Sequence, residues 1–400
     1  ILSEHGQQMF HDLTHASGFY REYFKQFKGM FDRIFMMGVS PVTLDDLSSG
    51  YNIDWNISVD PRFNAMMGFD ETEVREMFHY YQQNDMLNGD VEAMIAEMKP
   101  WYDNYCFARK SLDDDRVFNC DMTLYYLRWQ VDFHRAPEEM VDKNIRTDYS
   151  KLKMLARIDR DSVQEGDRMS TIEKIAAEGD IFVDLHTSFP AERITDIDNF
   201  RSLLYYYGLL TMCGTRGDLI KMSIPNNCVR EQYFGFLRDY YQKYSSIDLH
   251  YLNVMLTDMA YDGRWKPFFE SVAQAYRENS AVRDAMEGER NLQGFLKAYL
   301  ALASYYLVEP ELEMNYGYCD FFLLPDKKRY PDVKHSYILE LKYATRTATD
   351  AELEVQALEG RNQLLQYSED KIVRCLSEGT TLHRLLLQFR GWDLVRCEEV

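Results

Sequence analysis

The chain has no run of 18 consecutive apolar residues, which excludes a conventional membrane-crossing helix. No charged-then-apolar leader opens it. Its seven cysteines, at 106, 120, 213, 228, 319, 375 and 397, form no Cys-x-x-Cys, and no His-Glu-x-x-His occurs. Structural zinc is therefore not expected. The odd cysteine count reads as reduced, mostly buried thiols in a cytoplasmic protein. Also absent is Gly-x-x-x-x-Gly-Lys-(Ser/Thr), the loop that cradles nucleotide phosphates. Positive charge is scarce: 45 Lys and Arg against 65 Asp and Glu leave a net −20. Overall electrostatics thus disfavour nonspecific nucleic-acid binding, which needs clustered cations. There is no internal repeat and no low-complexity segment.

What is present suggests a mixed, helix-rich α/β protein. Four hundred residues exceed one ordinary core and suggest two or three domains. Amphipathic patterning predicts helices over 8–28, 70–83, 89–99, 121–134 and 168–177. The apolar run Arg33-Ile34-Phe35-Met36-Met37-Gly38-Val39 predicts a strand buried on both faces of a parallel sheet. Residues 198–244 predict helix, strand 209–213, a Gly214–Asp218 turn, strand 219–223 and a long helix, a winged-helix-like pattern. Beyond 248 the pattern is helical, including 289–306. It then reads strand 318–324, strand 336–344, helix 350–372 and strand 382–389. Expected boundaries are 1–155, 156–247 and 248–400.

The charges of chemical interest lie in the last part. Alternation puts Glu340 and Lys342 on one face of an apolar strand, with Ile338. Symmetric pairing of 318–324 with 336–342 sets Asp320 opposite Glu340, with Cβ atoms roughly 5 Å apart. Two carboxylates that close repel unless a divalent cation joins them. Mg²⁺ or Mn²⁺ on hard oxygens suits phosphodiester hydrolysis, with Lys342 stabilising developing charge. Asp/Glu-x-Lys alone is common in this chain, for example Glu97-Met98-Lys99. A half-exposed strand turning Ile338, Glu340 and Lys342 to water is the competing reading. Between Phe321 and Arg346, six basic residues against three acidic ones give a local basic rim compatible with DNA.

The order Glu289 on a helix, Asp320 on a strand, Glu340-Leu341-Lys342 on the next strand and Gln363 on the next helix resembles the PD-(D/E)XK nuclease superfamily. Glu313…Gly317-Tyr318-Cys319-Asp320 and Gln363-Leu364-Leu365-Gln366-Tyr367 are similar to its local wording. The resemblance implies that Asp320 and Glu340 bind metal and that Lys342 is catalytic. It also implies a supporting helix acid at Glu289, with Glu287 and Glu313 as alternatives, and a site-holding Gln363. Cys319 and Tyr318 depart from the usual Pro and Arg, and Pro331-Asp332 lies in the loop as a decoy.

A second resemblance lies upstream. Phe35–Leu47, Asp60-Pro61-Arg62-Phe63-Asn64 and Trp101-Tyr102-Asp103-Asn104-Tyr105 resemble the bacterial AAA-ATPase-like family, whose members end in a PD-(D/E)XK domain. Asn104 replaces the usual Gly. The resemblance implies a truncated P-loop ATPase region, its sensor strand ending at Ser40, with ATP bound only in a longer form. The combined expectation is a metal-dependent DNA nuclease joined to an incomplete ATPase region, with no membrane association. The alternatives are an ATP-regulated binding protein with an inactive nuclease fold, and an interaction module whose hairpin charges are surface decoration.

Overall fold

The computed structural model describes residues 23, 26, 30–35, 37–38, 42–43, 55–114, 116–142, 149–156, 164–190, 193–194, 196–242, 247–278, 288–303, 305–314, 317–327 and 329–400. The chain divides into two compact units, 1–175 with 180–232, and 176–179 with 233–400. Among the described residues no helix is long and apolar enough to cross a membrane. All seven cysteines are free.

The first unit is built from helices α1 (Glu71–Gln83), α2 (Val91–Tyr102), α3 (Cys120–Phe133), α4 (Tyr149–Ala156), α5 (Gln164–Glu178) and α6 (Ile197–Tyr206). Their starts are written in the sequence. Asp70 and Glu73 form a reciprocal capping box on α1, and Asp90 and Asn119 cap α2 and α3. The helical spacing of Val91, Met94, Ile95, Met98, Trp101 and Tyr102 buries one face of α2 against Phe78, Phe118 and Tyr126. A parallel pair joins β1 (Val42–Thr43) to β3 (Phe189–Pro190). Strands β2 (Asp180–Val183), β4 (Thr211–Arg216) and β5 (Leu219–Ser223) form an antiparallel sheet in the order β2-β5-β4. The hairpin turns at Gly217, whose φ of 62° suits glycine. The turn is thus shorter than Gly214–Asp218, and β2 is a strand the sequence pattern did not announce. Helix α7 (Asn227–Tyr241) follows.

The strand expected over 33–39 is corrected. The described residues there, 33–35 and 37–38, are irregular, and Ile34, Phe35 and Met37 are exposed. An apolar run becomes a buried strand only where neighbours hydrogen-bond its backbone, and no sheet receives the described residues of this one. Ser40, nearly all of the helix expected over 8–28 and part of Phe35–Leu47 lie outside the described residues. Asn104 adopts φ 84°, a conformation glycine takes most easily, and its side chain donates to Pro225 O at 2.8 Å. Arg62 pairs with Asp60 at 2.7 Å and lies over Trp55.

The second unit contains α8 (Leu249–Asp262), α9 (Lys266–Glu278), α10 (Glu289–Leu300), β6 (Tyr306–Met314), β7 (Gly317–Pro325), β8 (His335–Ala344), α11 (Asp350–Ser368), α12 (Lys371–Leu376), β9 (Thr381–Arg390) and β10 (Asp393–Glu399). The five strands order as β10-β9-β8-β7-β6, with β8 and β9 parallel and the other pairs antiparallel. Crossover helix α11 joins the parallel pair, as parallel strands require. It begins at a Thr349–Glu352 capping box. Strand β8 is central, with Tyr337, Ile338, Leu339 and Leu341 all buried. Ile338 and Leu386 pack with Ala357 and Leu364 of α11 on one face. On the other face, the Tyr337 hydroxyl donates to Met259 O of α8, and Phe389 meets Tyr276 of α9. Strands β6 and β10 extend the sheet beyond the three foreseen. Pro310 in β6 and the charged Asp393, Arg396, Glu398 and Glu399 in β10 hid them, and both lie at sheet edges, where such residues are tolerated.

Candidate active site

Strand β7 pairs with β8 through Phe321↔Leu339, Phe322↔Ile338 and Leu323↔Tyr337. One further step of that register sets Asp320 opposite Glu340. The ladder stops short of that step. Asp320 Oδ2 instead accepts the Leu341 backbone N–H at 2.7 Å. Asp320 Oδ1 accepts from Gln293 Nε2 of α10 at 3.0 Å. Cys319 and Phe322 lie in the same cluster under α11, although they are three residues apart. Asp320 reaches toward α10 through its bond with Gln293. The charge of Asp320 nevertheless acts on Glu340, so the two carboxylates lie within electrostatic reach of each other.

Glu340 lies on the α11 side with Lys342, whose Nζ donates to Glu340 Oε1 at 2.8 Å. Their side chains are 4% and 19% exposed. Ile338 is fully buried. This removes the reading of a strand face turned to water, and with it that of surface decoration. Glu340 Oε2 is buried with no hydrogen-bond partner. Gly360 of α11 makes room here, since a Cβ at that position would lie 2.7 Å from Leu386 Cδ1 and 3.4 Å from Lys342 Cε.

The electrostatics follow from burial and charge. Burial first, then the charge of Asp320, raises Glu340 to about 7, and Lys342 opposes them. Burial also raises Asp320, against the Leu341 N–H bond, Lys342, Lys297 and Gln293. Glu289 is exposed in the first turn of α10, yet the protein crowding its carboxyl and the charge of Asp320 push it up, with Lys342 opposing. Tyr367 is raised to about 12 by burial and by the nearby Glu340, Cys319 and Asp320, with a Gln363 hydrogen bond opposing.

The structure thus brings Asp320, Glu340, Lys342 and Glu289 into mutual electrostatic reach. Gln363 stands beside Tyr367, with its Oε1 buried and unpartnered. Glu287 lies outside the described residues, and the side chain of Glu313 in β6 is not described. Asp332 is an exposed loop residue. Gln293 and Lys297 went unnoticed in the sequence. They follow Glu289 at four and eight residues, so one turn-spaced face of α10 carries all three. That spacing was available as a signal. Lys297 is buried, and its Nζ donates to Ala177 O. The basic rim is narrower than its composition implied. Lys327 Nζ is tied to Val333 O and Gly379 O, Lys342 pairs with Glu340, and Arg346 lies over Trp392.

Among the described residues, no group of three His, Cys, Asp or Glu is arranged to hold a metal ion. The candidate donors are two carboxylates. A family model described as PD-(D/E)XK nuclease superfamily matches residues 287–399. No curated protein and no solved structure matches the chain. The match covers the sheet, α10, α11 and every site residue described above, and residues 287–399 are a PD-(D/E)XK nuclease superfamily domain.

Proposed function

We propose that this domain hydrolyses phosphodiester bonds of DNA with Mg²⁺ or Mn²⁺ held by Asp320 and Glu340. The observation that carries the reading is Glu340 Oε2, buried without a partner beside a second carboxylate. Leaving such an oxygen unpaired costs about 1–3 kcal/mol. The donor set fits a hard cation. Mg²⁺ commonly takes one or two protein carboxylates and fills its shell with waters and substrate oxygens, so a third protein carboxylate is not needed. When bound, the cation supplies Lewis acidity toward the phosphoryl oxygen and lowers the pKa of water.

The chain's own residues supply the rest. Gln293 and the Leu341 N–H fix the Asp320 carboxylate in one orientation. Lys342 Nζ donates to Glu340 Oε1 while the site is idle. It can donate one hydrogen bond to a phosphoryl oxygen as negative charge develops there. Glu289, its carboxyl pushed up by burial and by the charge of Asp320, is the proposed proton acceptor. Buried Leu339 and Leu341 keep the strand rigid beneath these groups.

Plasmid DNA incubated with the protein and Mn²⁺ or Mg²⁺ tests this reading, against Asp320→Ala and Lys342→Ala. Cleavage by the wild type alone supports it. Equal cleavage by all three removes these residues from the assignment. No cleavage with any metal favours the alternative, a binding protein with an inactive nuclease fold. We also propose that 35–47, 60–64 and 101–105 belong to an AAA-ATPase-like region, a reading supported by the glycine-like φ of Asn104.

A further inference from the structure

The first unit contains a cavity of about 330 Å³ that the nuclease reading does not use. Its lining includes five aromatic side chains, Tyr105, Phe107, Phe118, Tyr206 and Tyr207. Tyr105 and Phe107 stack with ring centroids 6.0 Å apart and planes 10° from parallel. The lining contains no Lys, Arg or His. Its one charged side chain is Asp121, exposed in the first turn of α3, with no ion pair among the described residues. The helix dipole accounts for an acid at that position. It does not account for the aromatic enclosure beside it.

Two further polar groups await partners. The Tyr206 hydroxyl is buried without a hydrogen bond. Gln232 is 8% exposed, and its amide makes no hydrogen bond among the described residues. A buried donor or acceptor left unpaired is costly, so such groups usually meet a ligand or water. Gly208, with φ 71°, brings the α6–β4 turn against Tyr105.

We propose that this cavity binds an alkylammonium group that also carries a hydroxyl or amide. The chemistry is selective. Aromatic faces attract a cation through their quadrupoles, most strongly when the cation is desolvated. Asp121 adds the matching charge, and Tyr206 and Gln232 offer hydrogen bonds to the polar end. A nucleotide's phosphates would meet a carboxylate and no cation, so this is not a nucleotide-phosphate site.

Calorimetric titration of the full chain with choline tests the proposal. The comparison ligands are choline's uncharged isostere 3,3-dimethyl-1-butanol, and adenosine. Choline is expected to bind with a Kd of about 1 mM or tighter, and the isostere at least about tenfold more weakly. Asp121→Asn should weaken choline at least about fivefold. Tyr206→Phe keeps the ring and removes only the unpaired hydroxyl, so it should fold and bind choline about fivefold more weakly. Thermal melts of both variants establish that they are folded. Equal binding of choline and its isostere overturns the proposal. So does adenosine binding more tightly than choline, or choline affinity unchanged in both folded variants. Plasmid cleavage plays no part in these readouts, so failure here is distinguishable from failure of the nuclease reading.

Discussion

Two clusters of buried polar side chains, one in each unit, serve opposite purposes. In the first unit, Asn64, Thr211 and Asn226 close main-chain accounts. Asn64 Oδ1 accepts from Phe107 N at 2.7 Å and Ala108 N at 3.1 Å. Thr211 Oγ1 accepts from Cys106 N, and Asn226 Nδ2 donates to Asp103 O. Each is a neutral group satisfying a neutral backbone. Around Glu340 in the second unit, charged groups face one another instead. Two carboxylates with raised pKa values share one lysine, and one carboxylate oxygen has no partner. A fold gains little from that arrangement, because burying charge costs more than a single ion pair returns. The difference teaches where to look for chemistry: buried polarity that is satisfied builds structure, and buried charge left in conflict implies a missing partner.

The largest expected effect breaks the comparison at its charged end. Lys342→Ala and Asp320→Ala should each lower plasmid cleavage by about 10²–10⁴-fold, the range for removing a catalytic proton-transfer or charge-stabilising group. Circular dichroism should show both variants folded. Asn64→Ala should do the reverse. It leaves two backbone N–H groups without their acceptor and should cost about 1–3 kcal/mol in a denaturant titration. Cleavage per folded molecule should stay unchanged.

A smaller effect is expected at Gly360. Alanine gains about 1 kcal/mol of helix propensity. Its Cβ would lie 2.7 Å from the buried Leu386, and overpacking costs about 1–3 kcal/mol. The net should be a loss of about 1 kcal/mol in thermal melts. The displaced Lys342 stem should also lower cleavage.

pH sharpens the contrast. Glu340 titrates near 7 in the fold against 4.5 for the free side chain. A raised carboxyl favours folding while protonated. Its contribution to metal-free stability is therefore full below about 4.5 and is lost as pH rises through about 7. Cation binding needs the ionised form. Added Mn²⁺ should therefore raise the melting temperature more at pH 8 than at pH 5.5. An equal shift at both values would place the cation elsewhere.

Much of the second unit was legible because local signals agreed with the global fold. The apolar run around Glu340, the capped helix α11 and the register of β7 on β8 needed no outside information. The orientation of the Asp320 carboxylate was not legible, because it depends on Gln293, 27 residues upstream, and on the Leu341 N–H of the next strand. Gln293 itself looks like an ordinary helix residue until its distance from Asp320 is known. The strand expected over 33–39 failed for the opposite reason. Apolar composition states a preference for burial, and the partner that would satisfy it must come from the rest of the fold. The pocket beside Asp121 was invisible for a similar reason, since residues 105, 121, 206 and 232 meet only after folding.

The proposed chemistry stands on Asp320 and Glu340 together holding a divalent cation. Mn²⁺ binding to the wild-type chain at pH 8, followed by calorimetry beside Asp320→Asn, Glu340→Gln and Gln293→Leu, tests it most directly. One saturable site is expected in the wild type. That site should be lost in the first two variants and weakened about tenfold in Gln293→Leu, where Asp320 loses the donor that orients it. Mn²⁺ affinity unchanged by Asp320→Asn and Glu340→Gln would contradict it.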